Sequence, residues 1–226
     1  TAEHKNAEVE IYFRTEHHWT QYGAYWAAKK FAEIANVPFE DDLSKYTYSG
    51  KFYEDGTPMH FLGSLYSATQ QQILKEHPDK FFYYEYPGEY TMELYSYDYS
   101  ELIRTKDSCY MYVSDDLPSA WYMIFMDGDN YSIKINSDVK NGRTCVVFKD
   151  SFGNALVPML LSSFETIYAI DIRKFPLNAI DFIQEVGATD VLFAVCAFTP
   201  MGSNYQYVET IRTAGGKYAW DSSWDQ

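Results

Sequence analysis

The last third of the chain constrains the fold most. Between Gly142 and Phe198 lie three continuous apolar runs, TCVVF (144–148), TIYAID (166–171) and DVLFAVCAF (190–198), with stretches of helical character between them. Strands that lack alternation are buried on both faces, and strands joined through helices pair in parallel. The pattern predicts an α/β fold with a parallel sheet covered by helices. The segment KDSFGN (149–154) falls where the first run meets the helix that follows it. Side chains at such junctions project beyond the sheet edge.

The start of the chain repeats this theme. In EVEIYFRTEHHWT (8–20), Val9, Ile11 and Phe13 alternate as in a strand. Thr20 stands at an N-cap position, and Tyr22, Tyr25, Trp26, the Lys29 stem and Phe31 follow at helical spacing until Asn36-Val37-Pro38 ends the helix. TEHHWT (15–20) therefore reads as a strand-to-helix turn. Residues 46–135 differ, with aromatic and β-branched residues alternating with polar ones. Turn signals recur at Asp55-Gly56-Thr57-Pro58, Pro87-Gly88, Asp115-Asp116 and Asp127-Gly128, and a helix is expected near Ser67–Glu76. The expected organisation is a single domain, 1–226, with a β-rich insertion at about 46–135.

A formal net charge of −14 without any basic cluster excludes nucleic acid as a partner and disfavours an anionic membrane surface. Cys109, Cys145 and Cys196 are too dispersed for a zinc knuckle or a disulfide framework, and read as reduced thiols. A metal site built from His17 and His18 is conceivable but disfavoured, because adjacent side chains point apart on extended backbone, and no other His/Asp/Glu cluster has metal-ligand spacing. The 22 tyrosines suit strands, and their amphipathic rings also suit a glycan cleft. There is no signal peptide and no apolar run long enough to span a membrane, and the opening at Thr1 reads as a mature or trimmed fragment.

A serine at a strand-to-helix turn is placed for nucleophilic attack, which makes Ser151 a candidate; taken alone, the segment reads as Asp150 or Ser151 capping the helix. Gly153 would let a substrate approach the backbone closely. A serine nucleophile needs a base and the base needs a carboxylate. Glu16 and His18, two residues apart, can share one side of the chain, whereas His17 is expected on the other as a structural or exposed residue, and Trp19 as packing.

TEHHWT followed by GAYWAAKKF resembles the signature of the bacterial DHHW proteins, with glutamate where the signature has aspartate. KDSFGNALVPMLLSSFETIYAIDIR resembles the serine block of the same family. Both look like permuted relatives of the SGNH hydrolases. They are also similar to the alginate O-acetylation proteins, in which an Asp-x-His-Trp segment precedes an Asp-Ser-Phe segment. The resemblance implies a three-layer SGNH-hydrolase-like fold in circularly permuted motif order. It implies Ser151 as nucleophile, His18 as base and Glu16 as the orienting acid, with Arg173 near the substrate and Gly63 and Asn154 as oxyanion candidates. The implied activity is that of a serine esterase or O-acetyltransferase, without cofactor, on a cell-envelope or extracellular polysaccharide, with a membrane-associated acyl donor as a partner. The alternative is an inactive SGNH-like envelope protein that binds glycan or protein, which the glutamate at position 16 favours.

Overall fold

In a computed structural model the described residues, 10–202 and 204–215, divide into two compact units made from alternating stretches of the chain. Of the described residues, one unit contains 10–88, 108–128 and 154–163; the other contains 89–107, 129–153, 164–202 and 204–215. The class is mixed α/β.

The second unit is built on a six-stranded sheet. Its strands are β3 (Tyr90–Tyr95), β4 (Leu102–Lys106), β5 (Ser132–Ser137), β6 (Thr144–Lys149), β7 (Thr166–Asp171) and β8 (Asp190–Ala194), in the order β4-β3-β5-β7-β6-β8. The three apolar runs form β6, β7 and β8, and these pair in parallel. The sheet is nevertheless mixed, not wholly parallel, because β5, β3 and β4 add to it antiparallel. The physical reason lies in the connections: Ser96–Glu101 is short enough to close a hairpin, whereas parallel pairing needs a longer crossover. β6 lies between two parallel neighbours and is buried over nearly its whole length. Helices α5 (Ala179–Glu185) and α7 (Tyr205–Thr213) bring Phe182 and Ile211 onto Val146, Phe148 and Ile170. Arg143 makes a two-pronged ion pair with Asp190 (2.8 and 2.6 Å), tying the start of β6 to the start of β8.

The first unit opens with α1 (Gln21–Ala35), whose ends match the sequence signals. Thr20 Oγ1 accepts the Gly23 N–H at 3.1 Å, and Asn36 adopts the left-handed conformation (φ 53°). Its buried ridge is Ala24, Ala28 and Ala32, while Tyr22, Trp26 and Phe31 are only half-buried. Alanines four apart let the helix sit close against the buried turn 157–160, which leaves the large rings on the flanks.

Elsewhere in this unit the sequence reading needs revision. Val9 lies outside the described residues, and Ile11–Phe13 form no strand, only an isolated bridge between Tyr12 and Trp19. The helix expected at Ser67–Glu76 is two short ones, α2 (Ser64–Thr69) and α3 (Gln72–Glu76), parted by left-handed Gln70. The turn signal at Asp127-Gly128 does mark a turn, one in which Met126, Asp127 and Gly128 all have positive φ. β1 (Thr47–Gly50) pairs antiparallel with β2 (Phe82–Glu85). Aromatic residues form the interior: Phe61 stacks on Trp121 at 5.6 Å and Phe13 on Phe81 at 5.7 Å.

Candidate active site

The motif TEHHWT occupies a loop that closes on itself. The Phe13 N–H donates to the His18 carbonyl (3.3 Å) and the Thr20 N–H to the Ile11 carbonyl (3.1 Å). Asp79, itself buried, pins the loop: its carboxylate accepts the Arg14 N–H, the Thr15 N–H (2.7 Å) and the Thr15 hydroxyl (2.6 Å). No sequence pattern marks Asp79, since its partner lies 64 positions away.

Within the loop Glu16 is the hub. Only 3% exposed, it accepts four hydrogen bonds. Oε1 takes the His17 N–H (2.8 Å), His18 Nδ1–H (2.9 Å) and the Ser64 hydroxyl (2.7 Å), while Oε2 takes the Ser64 N–H (2.7 Å). Burial opposes the charge, but the bonds from His18 and from both Ser64 groups, with the His18 charge, outweigh it and hold the carboxyl at about 2. An ionised Glu16 on Nδ1–H leaves the Nε2 lone pair of His18 as the basic one. The His18 ring stacks on Tyr122 at 3.9 Å with 5° between planes, so both its position and its tautomer are set.

His17 departs from expectation. On a tightly turning backbone, strand alternation does not hold, and its ring lies 3.8 Å from that of His18 with Nδ1 bonded to Ser64 Oγ (2.5 Å). Glu16, His17 and His18 thus present three metal-ligand-type atoms within 4.8 Å of one another, a set that the diverging-side-chain argument had discounted. In this geometry the same atoms are engaged in hydrogen bonds with one another and with Ser64.

Gly63 has a task other than an oxyanion hole. Its N–H already donates to Thr15 Oγ1 (3.1 Å). A side chain on it would lie 2.5 Å from Glu16 Cβ and 3.0 Å from Glu16 Cα. Only glycine lets the two loops approach closely enough for Ser64 to reach the carboxylate. Ser64, which the sequence reading missed, is the residue that this approach delivers.

The serine segment sits at the C-terminal end of β6. Asp150 caps α4 (Phe152–Leu156): Oδ1 accepts the Phe152 N–H (2.9 Å), its carbonyl accepts the Gly153 N–H (3.1 Å), and Oδ2 accepts the Cys196 N–H (2.8 Å). Of the two capping candidates, Asp150 bonds the helix start; Ser151 is half-buried beside it. The Phe152 and Gly153 N–H groups are thereby committed to Asp150, which removes them as oxyanion donors. Gly153 also makes room for Lys149, whose Cβ would lie 2.4 Å from an added side chain. Asn154 is buried.

Register places Lys149 opposite Asp171 at the ends of β6 and β7. There Arg173 grips Asp171 with two bonds (2.8 and 2.5 Å) and Asp129 with a third (2.7 Å), and the Asp171 carboxylate keeps its guanidinium charged. Buried Lys149 reaches Asp129 at 3.4 Å. Arg173 is therefore occupied by acids of its own unit. None of the three cysteines forms a disulfide; Cys109 and Cys145 are buried, Cys196 is half-buried, and burial pushes the Cys145 thiol up.

Among family models, that of the DHHW proteins matches residues 2–170. Among solved structures, a DHHW family protein from Eubacterium siraeum DSM 15702 is 38% identical with a TM-score of 0.80, the match covering 90% of this chain and 65% of that one. Bacillus cereus PatB1 with a sulfonyl adduct matches at 19% identity and a TM-score of 0.68, covering 91% of this chain and 68% of that one. A further B. cereus PatB1 structure matches at 22% and 0.64, covering 84% and 63%. The PatB1 likeness is one of fold. The chain spans about two thirds of the length of these relatives. Comparison with curated proteins found no match.

Proposed function

The chain belongs to the DHHW protein family, and from that premise we propose that it is a serine-dependent esterase or O-acyltransferase acting on an envelope or extracellular glycan. In this reading Ser151 is the nucleophile, His18 the base and Glu16 the orienting acid, on a permuted SGNH-like fold. The observation that carries it is the buried, ionised Glu16 bonded to His18 Nδ1 at 2.9 Å. A carboxylate on one ring nitrogen is what fixes a histidine as a general base through the other.

His18 Nε2 takes the Ser151 proton as Oγ attacks the ester carbonyl. The oxyanion is stabilised by the Ser151 N–H and the Asn154 side-chain amide. Collapse expels the alcohol, which leaves with the proton from His18, and an acyl-serine remains. Water or a sugar hydroxyl then takes the acyl group through the same base. The shared fold of a relative captured with a sulfonyl adduct supports this, since sulfonyl groups are trapped by nucleophilic side chains. A small acyl group, a membrane-associated acyl donor and an envelope or extracellular location complete the reading. Among the described residues no helix is long and apolar enough to cross a membrane.

One observation favours a non-catalytic, glycan- or protein-binding role instead: Asp150 occupies the Phe152 and Gly153 N–H groups. The test is p-nitrophenyl acetate turnover by wild type, Ser151→Ala and His18→Ala, with phenylmethanesulfonyl fluoride labelling mapped by mass spectrometry. Turnover lost in both variants, with the label on Ser151, is expected. Equal inertness of all three proteins and no label at Ser151 would favour the binding role.

A further inference from the structure

The first unit holds a second feature, apart from the Glu16–His18 pair. A cleft of about 320 Å³ opens between the start of the motif loop, the first turn of α1 and the β1–β2 ribbon. Its wall is aromatic. Tyr48 and Tyr84 face each other in register across the ribbon, with ring centroids 5.5 Å apart, and Phe82 lies 5.2 Å from Tyr48. Tyr48 is 52% exposed. The rim carries Arg14, Lys80 and Glu10, with buried Asp79 behind them; Arg14 lies 3.5 Å from Glu10 and 3.4 Å from Asp79.

Each class of small ligand makes a different demand. An acyl chain would desolvate the charged rim without compensating it. A polyanion would meet Arg14 already paired to Glu10 and Asp79, on a chain of net charge −14. A neutral sugar suits both parts: its C–H faces stack on exposed rings, and its hydroxyls exchange hydrogen bonds with charged groups that remain ionised. We infer that this cleft is a neutral-glycan subsite with Tyr48 as its platform. The inference deepens the acyl-transfer reading by naming where the glycan is held, and it rests on that reading only for the glycan's role as acceptor. The cleft adjoins the motif loop in sequence, through Phe13, Arg14 and Thr20. Glycan binding there would therefore load the segment that carries Glu16 and His18.

The test separates the two claims by measuring binding without turnover. Ser151→Ala protein is titrated calorimetrically with chitotriose, cellotriose, trigalacturonic acid and octanoate, and the titrations are repeated with Tyr48→Ala and Lys80→Ala added. Saturable binding of a neutral trisaccharide, weakened about tenfold or more by Tyr48→Ala in a protein with unchanged circular dichroism, is expected. Lys80→Ala, outside the aromatic wall, should weaken the same sugar. Binding indifferent to both substitutions, preference for trigalacturonic acid or octanoate, or no saturable binding overturns the inference. Sugar binding that depends on Tyr48 in a protein whose wild type turns over no ester would leave the subsite standing and remove the acyl-transfer reading. Ester turnover without sugar binding would do the reverse.

Discussion

Replacing Glu16 with glutamine probes the electrostatic centre of the motif loop. The native carboxyl is held at about 2 against an ordinary 4.5. Each pH unit of such displacement corresponds to about 1.4 kcal/mol, so the ionised form contributes about 3 kcal/mol to folding. A carboxyl lowered in the folded state adds stability above its unfolded value, and the addition is lost as pH falls from about 4.5 toward about 2. Glutamine keeps the size but loses the charge, and its amide nitrogen must face one of the donors that Oε1 or Oε2 now accepts. Glu16→Gln should therefore be less stable than wild type by about 3 kcal/mol at pH 7, or roughly 6–12 °C in Tm for a chain of this length. Urea unfolding of both proteins at pH 7, 5, 4 and 3 measures the gap. It should hold from pH 7 to 5 and narrow steadily below 4.5, and any residue left at the lowest pH reports the mismatched donor. A gap under about 1 kcal/mol at pH 7, or one that stays constant down to pH 3, refutes the assignment of Glu16 as a hydrogen-bonded buried anion.

Two further substitutions test how the loop is held. Gly63→Ala places a methyl 2.5 Å from Glu16 Cβ, so the loops must part; a loss of about 1–3 kcal/mol is expected in thermal melts. As Ser64 retreats, the pH dependence assigned to Glu16 should move back toward the ordinary carboxyl range, and an unchanged pH profile would deny Ser64 its part. Asp79→Ala strips the acceptor from the buried Thr15 N–H and hydroxyl, with an expected cost of at least about 2 kcal/mol in urea unfolding. Amide exchange at Thr15 should accelerate, and protection equal to wild type would show that the loop closes without Asp79.

Legibility in the sequence followed the range of the interactions. Local signals were read correctly: the Thr20 cap, the helix end at Asn36 and the three apolar runs that became β6, β7 and β8 depend on a few neighbouring residues. The antiparallel half of the sheet was not read, because alternation in β3 and β5 reports a strand but not which sheet it joins. The Glu16–His18 contact was anticipated from an i, i+2 spacing on an extended or turning backbone, whereas His17 was placed by strand alternation alone. The actual loop turns tightly, which is why alternation misplaced His17. Ser64 and Asp79 were invisible, since their partners lie 48 and 64 positions away and neither residue type is unusual in a turn.

The glutamate at position 16 can now be weighed as a departure from the family signature. Had the site decayed, the longer side chain would have no reason to stay buried, since an uncompensated anion in the interior costs several kcal/mol and is readily lost to a neutral residue. Glu16 instead keeps its charge through donors from two loops, and one of these, the Ser64 N–H, is delivered only because residue 63 has no side chain. Three of those bonds, from the His17 N–H, the Ser64 hydroxyl and His18 Nδ1, converge on Oε1, and the fourth, from the Ser64 N–H, holds Oε2. The carboxylate is therefore fixed against rotation as well as held ionised. A base needs both from its acid, because an acid free to swing would leave the imidazole tautomer undefined. The glutamate thus counts toward a working pair more than against one, and the argument for a binding-only protein is left to rest on Asp150 and the helix start it caps.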